Sequence, residues 1–278
     1  MEKEEIKKAV RERYGNIAKQ SSSCCAPAKS CCGSTDSAQS ISRSIGYSEE
    51  ELKTVPEGAN MGLGCGNPTA LASLKEGEIV LDLGSGAGFD CFLAARQVGS
   101  TGKVIGVDMT AEMLERAREN ARKGDFGNVE FRLGEIENLP VGDNQVDIII
   151  SNCVINLSPN KKRVFQEAFR VLRPGGRLMV SDIVLLKDLP DEIRNSVAAY
   201  VACIAGATTK NDYLEAIRAA GFEGTKVLGE AAYSTELLAN DPIAVEVAKN
   251  LKLSREKARD LANSVISIKV SAIKPALG

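Results

Sequence analysis

The stretch Ile79-Val-Leu-Asp-Leu-Gly-Ser-Gly-Ala-Gly-Phe-Asp90 decides the fold. Ile79 to Leu83 is a short apolar run of the kind that forms a buried parallel strand. Gly84, Gly86 and Gly88 follow at once, and glycine lets a backbone turn tightly and approach a ligand without a Cβ in the way. Phe89 to Val98 then reads as an apolar-rich helix. Strand, glycine turn and helix N-terminus form the opening unit of a doubly wound nucleotide-binding sheet. A second strand, Lys103 to Val107, ends on Asp108, an acid placed to accept bonds from both hydroxyls of a ribose.

A dinucleotide fingerprint needs its third glycine three residues after the second, whereas Gly88 follows Gly86 by two. That spacing resembles motif I of class I methyltransferases, which bind S-adenosylmethionine. This ligand has no phosphate, so the turn has only to accommodate an amino-acid end and a ribose. The competing readings are a dehydrogenase and a βαβ unit whose glycines are purely conformational.

The chain has 278 residues and is 44% hydrophobic, enough for one large domain or a core with a cap. No apolar run approaches the length that spans a bilayer. The start, Met1-Glu-Lys-Glu-Glu-Ile6, is charged and lacks the apolar core of a signal peptide, so a cytoplasmic protein is expected, without membrane contact. The net charge is −2 with basic residues spread along the chain, which gives no footprint for nucleic acid. There is no histidine, which excludes imidazole catalysis and histidine-bound metals. Eight cysteines remain. In a reducing compartment they favour metal, metalloid or catalytic roles over a disulfide framework. Cys91, inside the helix after the glycine turn, reads as a small buried hydrophobe.

Three regions are expected: 1–45, an N-terminal helix with a mobile cysteine-rich segment; 46–184, the cofactor-binding core; and 185–278, substrate-binding helices with strands that complete the sheet. Residues 2 to 20 have the spacing of a surface helix. Ser21 to Ser44 is rich in Ser, Cys, Ala and Gly and reads as loosely packed. Its pairs Cys24-Cys25 and Cys31-Cys32 could bind a soft metal, pair oxidatively, relay thiols, or do nothing defined. Tyr47 to Val55 is a short helix capped by Ser48. Cys65 lies between Gly64 and Gly66, where the backbone can expose it.

Further on, Thr110 caps a helix from Ala111 to Lys123, and strand Val129 to Leu133 leads to Glu135 and Ile136, where an acid and an apolar side chain meet adenine. Val146 to Ile150 is the next strand, and Ser151-Asn-Cys-Val-Ile-Asn-Leu157 continues from its carboxyl end. Ligands bind beyond the carboxyl ends of strands in open α/β sheets, so topology puts Cys153 at the crevice. Ser158-Pro159 starts a helix closed by Pro174-Gly-Gly176, and Arg177 to Val184 is a strand. Pro190 to Ala205 reads as one helix with Cys203 at the flank of its apolar stripe, facing a cleft or simply packed. Thr209 starts a helix ended by Gly221. A strand from Phe222, a helix Arg255 to Asn263 and an edge strand Ile266 to Ile273 finish the chain. Such alternation predicts an α/β, Rossmann-like, mostly parallel seven-stranded sheet with helices on both faces and a substrate-binding cap.

Thiolates select soft partners, and a histidine-free site offers little else. Trivalent arsenic fits Cys65, Cys153 and Cys203: it exchanges three oxygen ligands for three sulfurs and keeps a nucleophilic lone pair on the open apex. No general base is needed, because the attacking atom carries no proton.

Val80-Leu-Asp-Leu-Gly-Ser-Gly-Ala-Gly88, Gly106-Val-Asp-Met-Thr110 and above all Ser151-Asn-Cys-Val-Ile-Asn-Leu157 resemble the arsenite S-adenosylmethionine methyltransferase family. The similarity runs from Gly64-Cys-Gly66 to Cys203-Ile-Ala-Gly-Ala207. It implies that Cys65, Cys153 and Cys203 hold arsenic. It also implies that Asp82, Gly84, Ser85, Gly86, Gly88, Asp108, Met109, Glu135, Ile136 and Asn152 surround the cofactor. Members use an N-terminal cysteine for disulfide exchange, a role shared here among Cys24, Cys25, Cys31 and Cys32. The implied partners are arsenite or its thiol conjugates and a thiol reductant such as thioredoxin or glutathione. Leu63 stands where some members carry an aromatic residue, and the long cysteine-rich C-terminal extension of others is lacking. The alternatives are a methyltransferase for organic carbon, selenium or tellurium, and a metalloid-binding protein without catalysis.

Overall fold

The structure is a computed structural model that describes residues 2–20, 33–201, 203–232 and 263–276. Cys24, Cys25, Cys31 and Cys32 lie outside the described residues, as does the helix expected from Arg255, except for its last residue.

The β-branched, apolar runs pair as one sheet. Its strands are β1 (Ile79–Leu83), β2 (Lys103–Asp108), β3 (Val129–Leu133), β4 (Val146–Asn152), β5 (Leu172–Leu185), β6 (Glu223–Ala232) and β7 (Val265–Ile273), in the order β3-β2-β1-β4-β5-β7-β6. The first five run parallel, and β7 is antiparallel to both of its neighbours. Strand order reverses between β1 and β4, which opens a crevice at their carboxyl ends.

Before β1 come α1 (Lys3–Gln20), α2 (Gly33–Ser44), α3 (Glu49–Thr54) and α4 (Pro68–Ala72). Helices α5 (Phe89–Val98) and α6 (Ala111–Lys123) follow β1 and β2, and α7 (Lys161–Val171) follows β4. The short α8 (Asp191–Arg194) and α9 (Val197–Val201) precede α10 (Lys210–Ala219). Because side chains alternate across a strand, Val80, Val104, Ile148 and Ile150 pack beneath Phe92 and Leu114 of α5 and α6. Leu81, Ile105 and Ile149 point the other way, with Phe165 of α7 and Ile217 of α10 in their cluster. A third cluster joins α1 and α9 to Leu157, Ile183 and the three cysteines Cys65, Cys153 and Cys203.

Several elements depart from the sequence reading. Gly33–Ser44 is helical, so the segment expected to be loose is shorter than Ser21 to Ser44. The cap of α7 is Asn160, whose Oδ1 accepts from the Arg163 amide; Ser158 Oγ donates to Glu137 and accepts from the Asn160 amide, ahead of the helix. Strand β5 starts at Leu172 and carries Pro174 to Gly176 within it. The helix expected from Pro190 to Ala205 breaks at Asn195, and Ser196 Oγ accepts from the Ala199 amide to start a new turn. Strand β7 lies inside the sheet, buried along most of its length, and β6 takes the edge. The expected edge position fails because Ser267 is buried along with Val265, Ile266 and Ile268. Among the described residues no helix is long and apolar enough to cross a membrane.

Candidate active site

The glycine turn after β1 passes directly under Val154. At Gly84 φ is +67°, and a Cβ there would lie 2.2 Å from Val154 Cγ2, so the position accepts only glycine. The turn is held by Gly84 and Ser85 amides donating to the Val107 carbonyl, and by the Gly86 amide donating to Asp108 Oδ2 at 3.0 Å. Asp108 Oδ1 accepts from the Thr110 amide at 2.8 Å. Each carboxylate oxygen thus retains acceptor capacity for a ribose hydroxyl.

A crevice of about 1130 Å³, open mouth included, lies over this turn. Of the residues that the resemblance places around the cofactor, Asp82, Gly84, Ser85, Gly86, Asp108, Met109, Ile136 and Asn152 line this crevice. Gly88 does not; it is the N-cap of α5, facing the rings of Phe92 and Phe131. Nor does Glu135, whose carboxylate accepts from Lys7 Nζ at 2.6 Å and Arg11 Nη1 at 3.2 Å. Lys7, Val10 and Tyr14 of α1 form part of the crevice wall, and Glu137 lines it beside Ile136.

Two buried polar atoms on the crevice wall, Ser85 Oγ and Asn60 Nδ2, have no hydrogen-bond partner among the described residues. Asn60 is pinned by its own Oδ1, which accepts from Ser42 Oγ at 2.9 Å and the Gly62 amide at 3.0 Å. Unpartnered buried donors are costly unless a ligand satisfies them. Together with Asp108 and the glycine turn they fit a nucleoside carrying an amino-acid tail.

The far end of the crevice is acidic. Burial, then the neighbouring Asp90, holds Asp82 well above the usual carboxylate range. Burial raises Asp90 to about 6, against the bonds it accepts from Tyr47 and Asn152. A cationic ligand there would restore both to carboxylates. Sequence reading missed Asp90, Tyr47 and Asn60; only Asp90, within the motif itself, carried a local signal.

Asn152 connects this end to the thiols. Its Nδ2 donates to Tyr47 Oη, the Gly66 carbonyl and Asp90 Oδ2, at 2.9, 2.8 and 3.1 Å. Its Oδ1 accepts from the Cys65 amide at 2.9 Å. Cys65 is buried, not exposed as its flanking glycines suggested. Those glycines serve close approach: a Cβ at Gly64 would lie 2.6 Å from Asn152 Nδ2, and one at Gly66 2.6 Å from Ser181 Oγ.

Cys65, Cys153 and Cys203 come together from the loop before α4, the end of β4 and the turn after α9. Cys65 Sγ donates to the Ser181 carbonyl at 3.6 Å, and Cys203 Sγ to the Cys153 carbonyl at 3.2 Å. Cys153 lines the crevice wall. Both Cys153 and Cys203 hold left-handed backbones, with φ of 60° and 61°. Burial raises the Cys65 thiol. The bond with Cys153, then burial, raises Cys203 well above the usual thiol range. For Cys153 the bond with Cys203 lowers the pKa, but the bond with Cys65 and burial outweigh it. The thiols therefore stand protonated and close to one another, ready for a partner that displaces their protons. Tyr14 of α1 packs on the same cluster, and Asp182, raised by burial to about 7, lies beside Cys65 and Cys153.

Residues 74–221 match the family described as "Methyltransferase domain". The chain is 45% identical to the arsenite methyltransferase of Halobacterium salinarum over 98% of its own length and 68% of that protein. It is 37% identical to the human arsenite methyltransferase over 73% of its length and 54% of the relative. The chain thus spans about two thirds of the first relative and about half of the second. Among solved structures it resembles CrArsM, an arsenic(III) S-adenosylmethionine methyltransferase from Chlamydomonas reinhardtii. That likeness has a TM-score of 0.61 and 32% identity, covering 85% of this chain and 74% of the other. With a sheet of this order, a nucleoside crevice and three converged thiols, the chain belongs to the arsenite methyltransferase family of S-adenosylmethionine-dependent enzymes.

Proposed function

We propose that this chain methylates trivalent arsenic held by Cys65, Cys153 and Cys203. The observation that carries the reading is the meeting of three buried thiols from distant segments beside a crevice that suits a sulfonium nucleoside. Three thiols exchange with the three hydroxyls of arsenite, each thiol proton leaving with a hydroxyl as water, so the site needs no external base. Three sulfurs leave the arsenic lone pair free on the open apex. S-adenosylmethionine supplies, when bound, a methyl group made electrophilic by its sulfonium. Asp108 and the turn of Gly84 to Gly86 hold the nucleoside, and Asn60 and Ser85 donate to its polar groups. Asn152 fixes the Cys65 loop relative to that cofactor, and alignment at roughly 3–3.5 Å is what the protein contributes to the rate. Tyr14 and the apolar residues of α1 exclude water.

Methyl transfer leaves arsenic formally pentavalent. Two thiols oxidised to a disulfide return it to the trivalent state, with Cys24, Cys25, Cys31 and Cys32 the candidates for that exchange. Thioredoxin or glutathione then reduces the disulfide, chemistry suited to the cytoplasm.

Replacing Cys153 with Ser tests the assignment. Arsenite turnover, measured as labelled methyl in arsenic products, is expected to fall at least a hundredfold, while S-adenosylhomocysteine binds within about threefold of the parent, since 1.4 kcal/mol is tenfold in affinity. Retained turnover would defeat the arsenic reading.

A further inference from the structure

We infer that Cys65, Cys153 and Asp182 form a site for a divalent thiophilic cation of the zinc or cadmium class, separate in its ligand set from the three-sulfur site of arsenic. The sulfur atoms of Cys65 and Cys153 and a carboxylate oxygen of Asp182 all lie within 4.8 Å of one another. All three residues are buried, at 4%, 7% and 1% exposure. Tetrahedral zinc with Zn–S of about 2.3 Å and Zn–O of about 2.0–2.2 Å sets such donors roughly 3.5–3.8 Å apart. The site has only to contract slightly to close on an ion.

Asp182 is held as a ligating carboxylate usually is. Its Oδ1 accepts from Asn156 Nδ2 at 2.8 Å and from the Ile183 amide at 2.9 Å. Its Oδ2 accepts from Tyr213 Oη at 3.0 Å and so keeps a lone pair. Tyr213 is itself locked edge-on against Phe165. Outer partners of this kind fix the orientation of a ligand and are a regular part of metal sites.

Arsenic and a divalent cation use the cluster differently. Trivalent arsenic takes three sulfurs and needs its apex empty, so a carboxylate adds nothing. A zinc-class ion takes four donors and accepts oxygen among them. Two thiolates and one carboxylate on a divalent ion leave one net negative charge, and the Lys161 ammonium, which interacts electrostatically with Asp182, offsets it. Cys203 Sγ, which donates to the Cys153 carbonyl at 3.2 Å, is not part of this three-residue group, and a water molecule can complete a four-coordinate ion. Binding releases the two thiol protons, together with the Asp182 proton where that carboxyl is protonated, and consumes no other reactant. An ion so placed occupies two of the thiols that arsenic requires, so zinc or cadmium competes with arsenite.

Zinc alone, added to the reduced full-length chain without cofactor or arsenite, provides the test. Binding of one ion per chain is expected. X-ray absorption at the zinc edge should show sulfur at about 2.3 Å together with oxygen at about 2.0–2.2 Å. A shell of sulfur only, or of light atoms only, overturns the inference on the unmodified protein. Asp182→Asn is expected to weaken zinc binding by about 10–100-fold, the range typical of losing a metal-site partner, while arsenite binding in the absence of zinc changes less than threefold. Equal loss of both ligands, or of neither, overturns it. Cys203→Ser separates this inference from the function proposed above: it should remove three-sulfur arsenite binding yet keep zinc within tenfold. Loss of zinc binding in that variant overturns the three-residue ligand set even if arsenic methylation stands.

Discussion

A left-handed backbone at a non-glycine residue costs roughly 1–2 kcal/mol, and this protein places one at each of two thiols, Cys153 and Cys203. Strain of this kind persists where surrounding structure over-determines it, commonly at functional sites. Removing the Cys203 thiol should therefore expose the strain. Cys203→Gly is expected to unfold at higher urea than Cys203→Ala, by roughly 1 kcal/mol, although Gly ordinarily lowers stability relative to Ala. The opposite order would show that the turn after α9 relaxes. Lys161 offers a second measurement. Burial lowers its pKa to about 8, below the value of about 10.4 expected in an unfolded chain. The folded state then binds fewer protons than the unfolded state between those limits, so this group makes stability rise with pH across that window. The buried thiols act oppositely, since folding raises their pKa values. The difference between wild type and Lys161→Met isolates the lysine: Lys161→Met should be the more stable near neutrality, with the gap narrowing from about pH 8 upward. A gap independent of pH would show that Lys161 carries its charge in the fold at no cost. At this scale the cysteines were legible because their chemistry is rare. Asn60, Tyr47 and Asp182 were not, because an ordinary polar residue acquires its role only when tertiary structure leaves it unpartnered or buries it beside sulfur.

Elements with strong local signals formed where the sequence predicted them. Ser48 and Glu51 make a full capping box at α3, and Thr209 caps α10 through the Asp212 amide. Signals failed where two capping side chains stood close together, as when Ser158 Oγ accepted only from the Asn160 amide and α7 began two residues later on Asn160. Helix α1 shows a different limit, on a larger element. Its amphipathic pattern announced a helix, but nothing announced that Lys7 and Arg11 would pair with Glu135 and pull it across the crevice. Partly exposed pairs of this type contribute at most about 1 kcal/mol each. Glu135→Gln is thus expected to speed amide hydrogen exchange in α1 about fivefold, with the strands unaffected. Unchanged exchange would mean that Tyr14 and the apolar face, not the ion pairs, seat the helix.

The whole sheet followed from the alternation of strands and helices, except for its last pairing. Placing β7 between β5 and β6 pairs it with two strands that precede it at separations from Ala232↔Ile266 out to Arg177↔Ile273, and no local pattern reports such partners. The position matters to the site, since Ser267 Oγ of β7 donates to the Cys65 carbonyl at 2.8 Å across a sequence separation of 202 residues. Ser267→Ala should leave cofactor affinity within about twofold and weaken arsenite binding by about 5–10-fold, near the 0.5–1.5 kcal/mol of one hydrogen bond. Equal affinity for arsenite would show that Asn152 alone steadies the Cys65 loop.

That late strand also orders events during synthesis. A chain leaving the ribosome releases the adenosine cradle first, and Cys203 long afterwards, yet the wall that steadies Cys65 arrives only with β7. A nascent chain has reactive sulfur without the geometry to hold a poison usefully. Under the function proposed above, three-sulfur capture of arsenic has to wait until β7 docks.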